Sequence, residues 1–242
     1  MRLITKVWID DIERHLIHYT INLKLNEVGL ATLEVETKIQ PRPKSLVVFK
    51  AGYTVGSMWT YFIGFVDQVD PESTHHWTVK CKEISHALAS DCLIALRSCT
   101  LADVKGEMQG CTGLKFVIKQ GHLTATRFFS HGEGYFCIRR LDRVFGIDDY
   151  TWWQRRDGSV WFGTWALSDY ALAGNLDLDP EYYIKQKPGV VVVPVIPSMR
   201  PGMLVNQHRL TAVRFESNHH MTFRWNEKNT MVRNEITPGN AY

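Results

Sequence analysis

Only five of the 242 residues are cysteine, an odd number, at Cys81, Cys92, Cys99, Cys111 and Cys137. None forms a CxxC pair and none has a histidine at ligand spacing, which argues against a thiol redox motif and a structural zinc site. Buried free thiols are the expectation. Long apolar runs are also missing. The longest, Val190 to Ile196, contains Pro194 and is far too short to cross a bilayer as a helix. Met1 to Leu16 has no unbroken apolar core of the kind a signal peptide carries. The expectation is a protein without membrane insertion, folded in a cytoplasm. An excess of one charge is lacking too: the formal net charge is +3, too small to imply nucleic-acid or membrane binding by itself. There is no Gly-x-Ser-x-Gly elbow, no His-Glu-x-x-His and no phosphate-cradling glycine loop. The expectation is therefore no enzyme, no metal and no cofactor.

What the chain does have is ordinary globular material, 45% hydrophobic and 22% charged, and a weak internal repeat. Ala51-Gly52-Tyr53-Thr54-Val55-Gly56 leads into Phe62 to Val69 and then His75-His76-Trp77-Thr78-Val79-Lys80-Cys81-Lys82-Glu83. Near the other end, Pro201-Gly202-Met203-Leu204-Val205-Asn206 leads into Leu210 to Phe215 and then His219-His220-Met221-Thr222-Phe223-Arg224-Trp225-Asn226-Glu227. The nine-residue segments agree at both histidines, at Thr78 and Thr222, and at Glu83 and Glu227. Gly52 and Gly202 are 150 positions apart and the histidine pairs 144, so the copies differ by six residues in a loop. Each copy reads as a Gly-containing turn, a strand, a polar reversal and a second strand. Two similar β-modules around a different middle suggest a protein that builds symmetry before they suggest an enzyme.

Between these landmarks, residues 2–9 and 12–25 read as strands joined at Asp10-Asp11, followed by the Asn26 to Gly29 turn and a third strand through Leu33, Val35 and Thr37. With the first hairpin this makes about six strands in 83 residues, enough for a small antiparallel barrel. At Glu83 the period changes. Ile84, Ala87, Leu88, Cys92, Ala95 and Leu96 share one helical face, which predicts a helix over 83–96. Thr100-x-x-Asp103 predicts a second helix start, ended by Gly110 and Gly113, and Phe136, Ile138, Leu141, Val144 and Phe145 a third, closed by Gly146. Aromatic strands on either side of Asp157-Gly158 predict a tight hairpin. Residues 166–187 read as a connector, and the tail after Asn229 as a last strand and a loose end.

The segment Tyr135 to Gly146, containing Phe136, Arg139, Arg140 and Leu141, then Asp157-Gly158 and Val160-Trp161-Phe162-Gly163, resembles a segment of phage tail baseplate hubs. That family includes the late control protein D type and the N-terminal part of type VI secretion spike proteins. Phe62 to Val66, Thr100 to Val104 and Met199 to Met203 resemble further family motifs in the same order. The resemblance implies an α+β, mostly β fold: two tube-like antiparallel β-barrels flanking a smaller α+β middle domain. The expected division is a first barrel with its trailing helix at 1–94, a middle domain at 95–187 and a second barrel module at 188–242. It implies a homotrimer that adapts a six-fold tail tube to a three-fold spike and forms part of the channel for DNA and tape measure. The partners would be a tail tube or distal tail protein, a central spike protein and a tape measure protein. The location would be the virion, after assembly in the host cytoplasm.

Several side-chain groups invite other chemistry. Adjacent histidines on a strand point to opposite faces, so His75-His76 and His219-His220 cannot each chelate one ion. They are taken, with Gly52 and Gly202, as structural positions of the repeat. His15 and His18 fall in a strand-like run, solvent-facing or partly packed. Asp67, Asp70 and Glu72 read as a solvated turn. Trp152, Trp153, Trp161 and Trp165 could form a sugar-binding face, the alternative being a carbohydrate-binding tail-tip or receptor-binding module. Alternating aromatics on strands more often fill a core or a subunit contact. These four tryptophans, with Arg139 and Arg140, are the expected candidates for subunit or partner contacts.

Overall fold

The computed structural model describes residues 2–217 and 219–230, the last four by their backbone alone. Six strands open the chain: β1 (Ile4–Ile9), β2 (Ile12–Lys24), β3 (Leu30–Glu36), β4 (Leu46–Gly52), β5 (Trp59–Pro71) and β6 (His76–Glu83). They pair antiparallel in the order β1-β4-β5-β6-β3-β2, and β2 returns to β1, closing a six-stranded barrel. Closure leaves no free edge in the ring. The wall follows from alternation: in β3, Ala31, Leu33 and Val35 are buried while Leu30, Thr32 and Glu36 are exposed. Asp10 and Asp11 form the expected two-residue turn, with φ of 50° and 62°. The Asp10 carboxylate accepts from Ser45 Oγ at 2.5 Å and Leu46 N at 2.9 Å, tying this turn to the start of β4.

The helix expected over 83–96 is not formed. Ile84–Ala89 is a 3-10 turn, and the chain then extends into β7 (Ile94–Thr100). Ile84 and Leu88 of the expected apolar face do pack into the second core. Beyond them, Cys92 N donates to Gly132 O at 2.6 Å, and residues 94–100 pair with a distant strand. That pairing outweighs a modest local helical preference. The other helices form as expected. They are α1 (Leu101–Thr112), with a complete Thr100/Asp103 capping box, and α2 (Gly134–Phe145). Gly113 and Gly146 end them in the left-handed conformation, and Gly110 lies inside α1.

Around these helices lie β8 (Phe116–Val117), β9 (Thr124–Ser130), β10 (Tyr150–Gln154) and β11 (Val160–Thr164). The remainder comprises a short α3 (Asp169–Leu172), β12 (Asn175–Leu176), β13 (Lys185–Lys187), β14 (Val190–Pro194), β15 (Leu204–Val205), β16 (His208–Glu216) and β17 (His220–Thr230). The fold is α+β and mostly β, with barrel modules, as the resemblance implies. The expected boundary between residues 94 and 95 falls inside β7, and that between 187 and 188 in the turn joining β13 to β14.

β2 joins the two β modules. Its start, at Ile12 to Arg14, pairs with β1, and its end, at Thr20 to Lys24, pairs with β16. From β16 the sheet continues through β17, β14 and β13. The two modules consequently share one core. Phe215 of β16 packs against Tyr19 and Tyr61 of the barrel, at ring-centroid distances of 5.0 and 4.9 Å, and against Phe49 at 5.9 Å. A second core, built on Leu101, Val104, Met108, Phe128, Leu141 and Trp152, holds the middle of the chain together. Four of the cysteines are buried and Cys111 half-buried, and all are free. No helix among the described residues is long and apolar enough to cross a membrane.

Candidate functional site: a duplicated hairpin and its buried anchor

The two halves of the sequence repeat fold into hairpins with the same register. In the first, Val69, Asp70 and Pro71 face Val79, Thr78 and Trp77. In the second, Val213, Arg214 and Phe215 face Phe223, Thr222 and Met221, every position displaced by 144. One irregularity coincides as well, although the second hairpin has a further one between His208 and Leu210 that the first lacks. The ladder skips Asp67 between Val66 and Gln68, and it skips Thr211, again 144 further on, between Leu210 and Ala212. A bulge adds local twist and bends its strand, so both hairpins are bent at the same place. The turns are matched, with Glu72 N donating to His76 O in one and Glu216 facing His220 in the other.

The equivalence does not extend to the glycines. Gly52 ends β4, where a Cβ would lie 2.7 Å from Ser57 O, so a close backbone approach requires it. Gly202 has φ of 93° in the turn before β15. The histidine pairs sit at the hairpin tips. His75 and His76 are exposed, and His76 lies 3.9 Å from Glu36, which also takes His15 at 2.9 Å. His18 faces Glu34 at 3.9 Å. No group of three or more metal-ligating side chains occurs among the described residues. Asp67 and Asp70 pair with Lys82 and Lys80 at 3.0 and 2.9 Å, on the outer wall. The side chain of Glu227 lies outside the described residues, as does the tail after Thr230.

Where the modules meet, Arg200 and Glu83 form a buried ion pair at 3.4 Å, the side chains only 3% and 4% exposed. Arg200 also donates to two backbone carbonyls, Tyr61 O at 2.5 Å and Gln154 O at 3.2 Å, so one side chain reaches the barrel wall and the middle hairpin from the second module. Glu83 accepts the backbone N–H of Gly29 at 2.8 Å. Gln154 completes the junction, donating to Ile63 O and accepting from Ser85 N. Burial raises the Glu83 carboxyl to about 7, against the lowering pull of Arg200 and the Gly29 N–H. Sequence reading alone did not find this role for either residue. The available signal was a guanidinium inside an otherwise apolar turn, Met199-Arg200-Pro201-Gly202-Met203, which demands an acidic partner if buried.

The aromatic hairpin of β10 and β11 docks at the same junction. Its tip is a turn from Arg155 to Gly158 with Gly158 at φ 83°, and the Asp157 carboxylate accepts from Ser159 N and Oγ. Asn26, in the turn joining β2 and β3, accepts the Trp152 N–H at 2.8 Å through its side chain and donates to Trp152 O through its backbone. The four tryptophans expected at a contact surface are inside the chain: Trp152, Trp153, Trp161 and Trp165 are 1 to 5% exposed. Trp153 stacks on Trp161 and Tyr170, and Trp165 Nε1 donates to Gly202 O at 2.7 Å. Both faces of this hairpin are covered, by the second core on one side and the Gly202 turn on the other, so no ring face remains for a sugar or a partner. Arg139 and Arg140, by contrast, lie exposed on the outer side of α2.

No family model matches the chain. It is 24% identical over 229 residues to an uncharacterized 58.7 kDa protein of Haemophilus phage HP1, a match covering 93% of this chain and 42% of that protein. The chain thus spans about two-fifths of the length of this relative. A tail protein from Neisseria meningitidis superposes with a TM-score of 0.69 at 11% identity, over 95% of this chain and 98% of that one. A component of the type VI secretion system of E. coli superposes with a TM-score of 0.62 at 10% identity, over 93% of this chain and 78% of that one. That protein is itself described as structurally similar to the bacteriophage T4 tail proteins gp27 and gp5. The chain has the fold shared by phage tail proteins and the tail-like proteins of type VI secretion.

Proposed function

We propose that this chain is the baseplate hub of a phage tail, working as a structural protein with no catalytic step. Three copies would form a ring in which six similar hairpins face a six-fold tail tube, while the three-fold symmetry of the ring meets a central spike. The ring would enclose part of the channel taken by DNA and the tape measure protein. The observation that carries this reading is the pair of hairpins with one register and one bulge, 144 residues apart. Two bent hairpins of the same shape let one chain make the same contact twice. The fold likeness to tail and type VI secretion proteins supports the setting, a virion tail. The test is mass measurement of the purified protein together with negative-stain imaging. A three-fold ring with a central hole is expected; a protein that stays monomeric at high concentration refutes the reading.

A further inference from the structure

Two exposed surfaces on this chain are complementary to each other, and nothing described so far uses either. The first is the outer face of the β7–β9 pair together with α2. Leu93, Phe129 and Phe136 are exposed there by 66, 57 and 57%. They are near one another: Ala95 faces Phe129, Cys92 N bonds Gly132 O, and a Cβ on Gly132 would lie 3.3 Å from the Phe136 ring. The charge around them is divided: Asp91 and Glu133, both exposed, face each other at one end of the patch, and the other end is basic. Arg97 and Arg127 face each other directly across the strand pair, both exposed and neither in a salt bridge among the described residues. Like charges placed directly opposite destabilise a sheet, so this arrangement favours an anion brought from outside. Arg139 and Arg140 follow Phe136 on the exposed side of α2.

The second surface is the arm between α3 and β13. Leu172, Leu176, Tyr182 and Ile184 are exposed by 74, 37, 59 and 45%. Asp177, Asp179 and Glu181 alternate with them, exposed and in no salt bridge among the described residues. The arm is nonetheless held in shape. Asn206 accepts Leu178 N at 2.7 Å and donates to Leu178 O at 2.7 Å and Tyr183 Oη at 2.6 Å, and β12 pairs with β15. An ordered arm with acidic and apolar residues pointing outward is pre-organised for docking. It packs on the barrel core, the basic face belongs to the other core, and no hydrogen bond or ion pair joins the two surfaces among the described residues.

We infer that the acidic arm of one copy docks on the basic, aromatic face of the next, a head-to-tail contact that closes the ring. This rests on the ring assembly proposed above and names the surfaces that make it. An arm and a face on every copy give a heterologous contact, the type that generates rings when its rotation closes. Arg139 and Arg140 become subunit contacts, and the four tryptophans are replaced in that role by Phe129 and Phe136.

A charge swap tests the contact. Arg97→Glu/Arg127→Glu changes the face, Asp177→Lys/Asp179→Lys/Glu181→Lys changes the arm, and a third variant carries both sets. Mass photometry and sedimentation give assembly size, and circular dichroism with thermal unfolding shows that each variant is folded. Each single set is expected to yield folded monomer, and the combined set to restore the wild-type assembly. Mixing the two single sets is expected to restore only even-numbered species, because each variant binds the other and not itself. Single sets that assemble like wild type, or a combined variant that stays monomeric while folded, overturn the contact and leave the ring reading standing. A monomeric wild type overturns both. Normal assembly by the face variant, combined with loss of oligonucleotide retention, makes the face a nucleic-acid site and overturns the contact.

Discussion

Replacing Arg200 by Met should produce a stability loss that grows with pH. In the wild type the Glu83 carboxyl titrates at about 7 in the folded chain, against an ordinary value of 4.5. Between these values the folded protein holds a proton that the unfolded chain has released. Stability therefore falls as pH rises from about 4.5 to about 7 and levels off above, by about 3 kcal/mol in all at roughly 1.4 kcal/mol per pH unit. Arg200→Met removes the cation that lies 3.4 Å from Glu83 and keeps its carboxyl from rising further. At pH 5 Glu83 is protonated in both proteins, so the loss is that of the donors to Tyr61 O and Gln154 O, about 2 to 4 kcal/mol for two buried acceptors. At pH 8 the folded variant still holds a proton that its unfolded chain has released, while the folded wild type has let go of its own, so the variant's decline continues past the wild-type plateau and the gap widens by about 1.4 kcal/mol for each pH unit by which the carboxyl rises further. Urea unfolding followed by tryptophan fluorescence at pH 5, 6, 7 and 8 measures both curves. Adding Glu83→Gln should flatten the variant's slope over this range. Parallel pH profiles for wild type and Arg200→Met would refute the idea that Glu83 and Arg200 are a buried, coupled pair.

Three further outcomes follow from single contacts. Gly29→Ala places a Cβ 2.6 Å from the Glu83 carboxyl carbon and from Leu23 Cδ2, and should cost about 1 to 3 kcal/mol in urea unfolding through overpacking; an unchanged midpoint would show that the junction is loose. Trp161→Ala should cost about 3 to 5 kcal/mol, as a buried ring does. A folded Trp161→Ala protein with wild-type stability that loses retention on a glycan column would reinstate the carbohydrate reading. Thr100→Ala removes one half of the capping box of α1 and should cost about 1 kcal/mol, with amide exchange rising in the first turn and not at Gly113.

Whatever depends on neighbours along the chain is legible in the residues alone. Alternation in β3, the Asp10-Asp11 turn, the Thr100 cap and the glycines that end α1 and α2 are each set within a few residues. The repeat was legible for a related reason: one hairpin's register depends on side chains that recur at the same spacing in the other. What required tertiary structure depends on partners far away in the chain. Residues 94–100 became a strand because residues 124–130 lie beside them, against a helical period that local reading favoured. The tryptophans went inside because the Gly202 turn and the second core cover both faces of their hairpin, and no spacing within the hairpin encodes that cover. Arg200 and Glu83 are separated by over a hundred residues, and only the folded chain brings this guanidinium to this carboxylate in a buried junction.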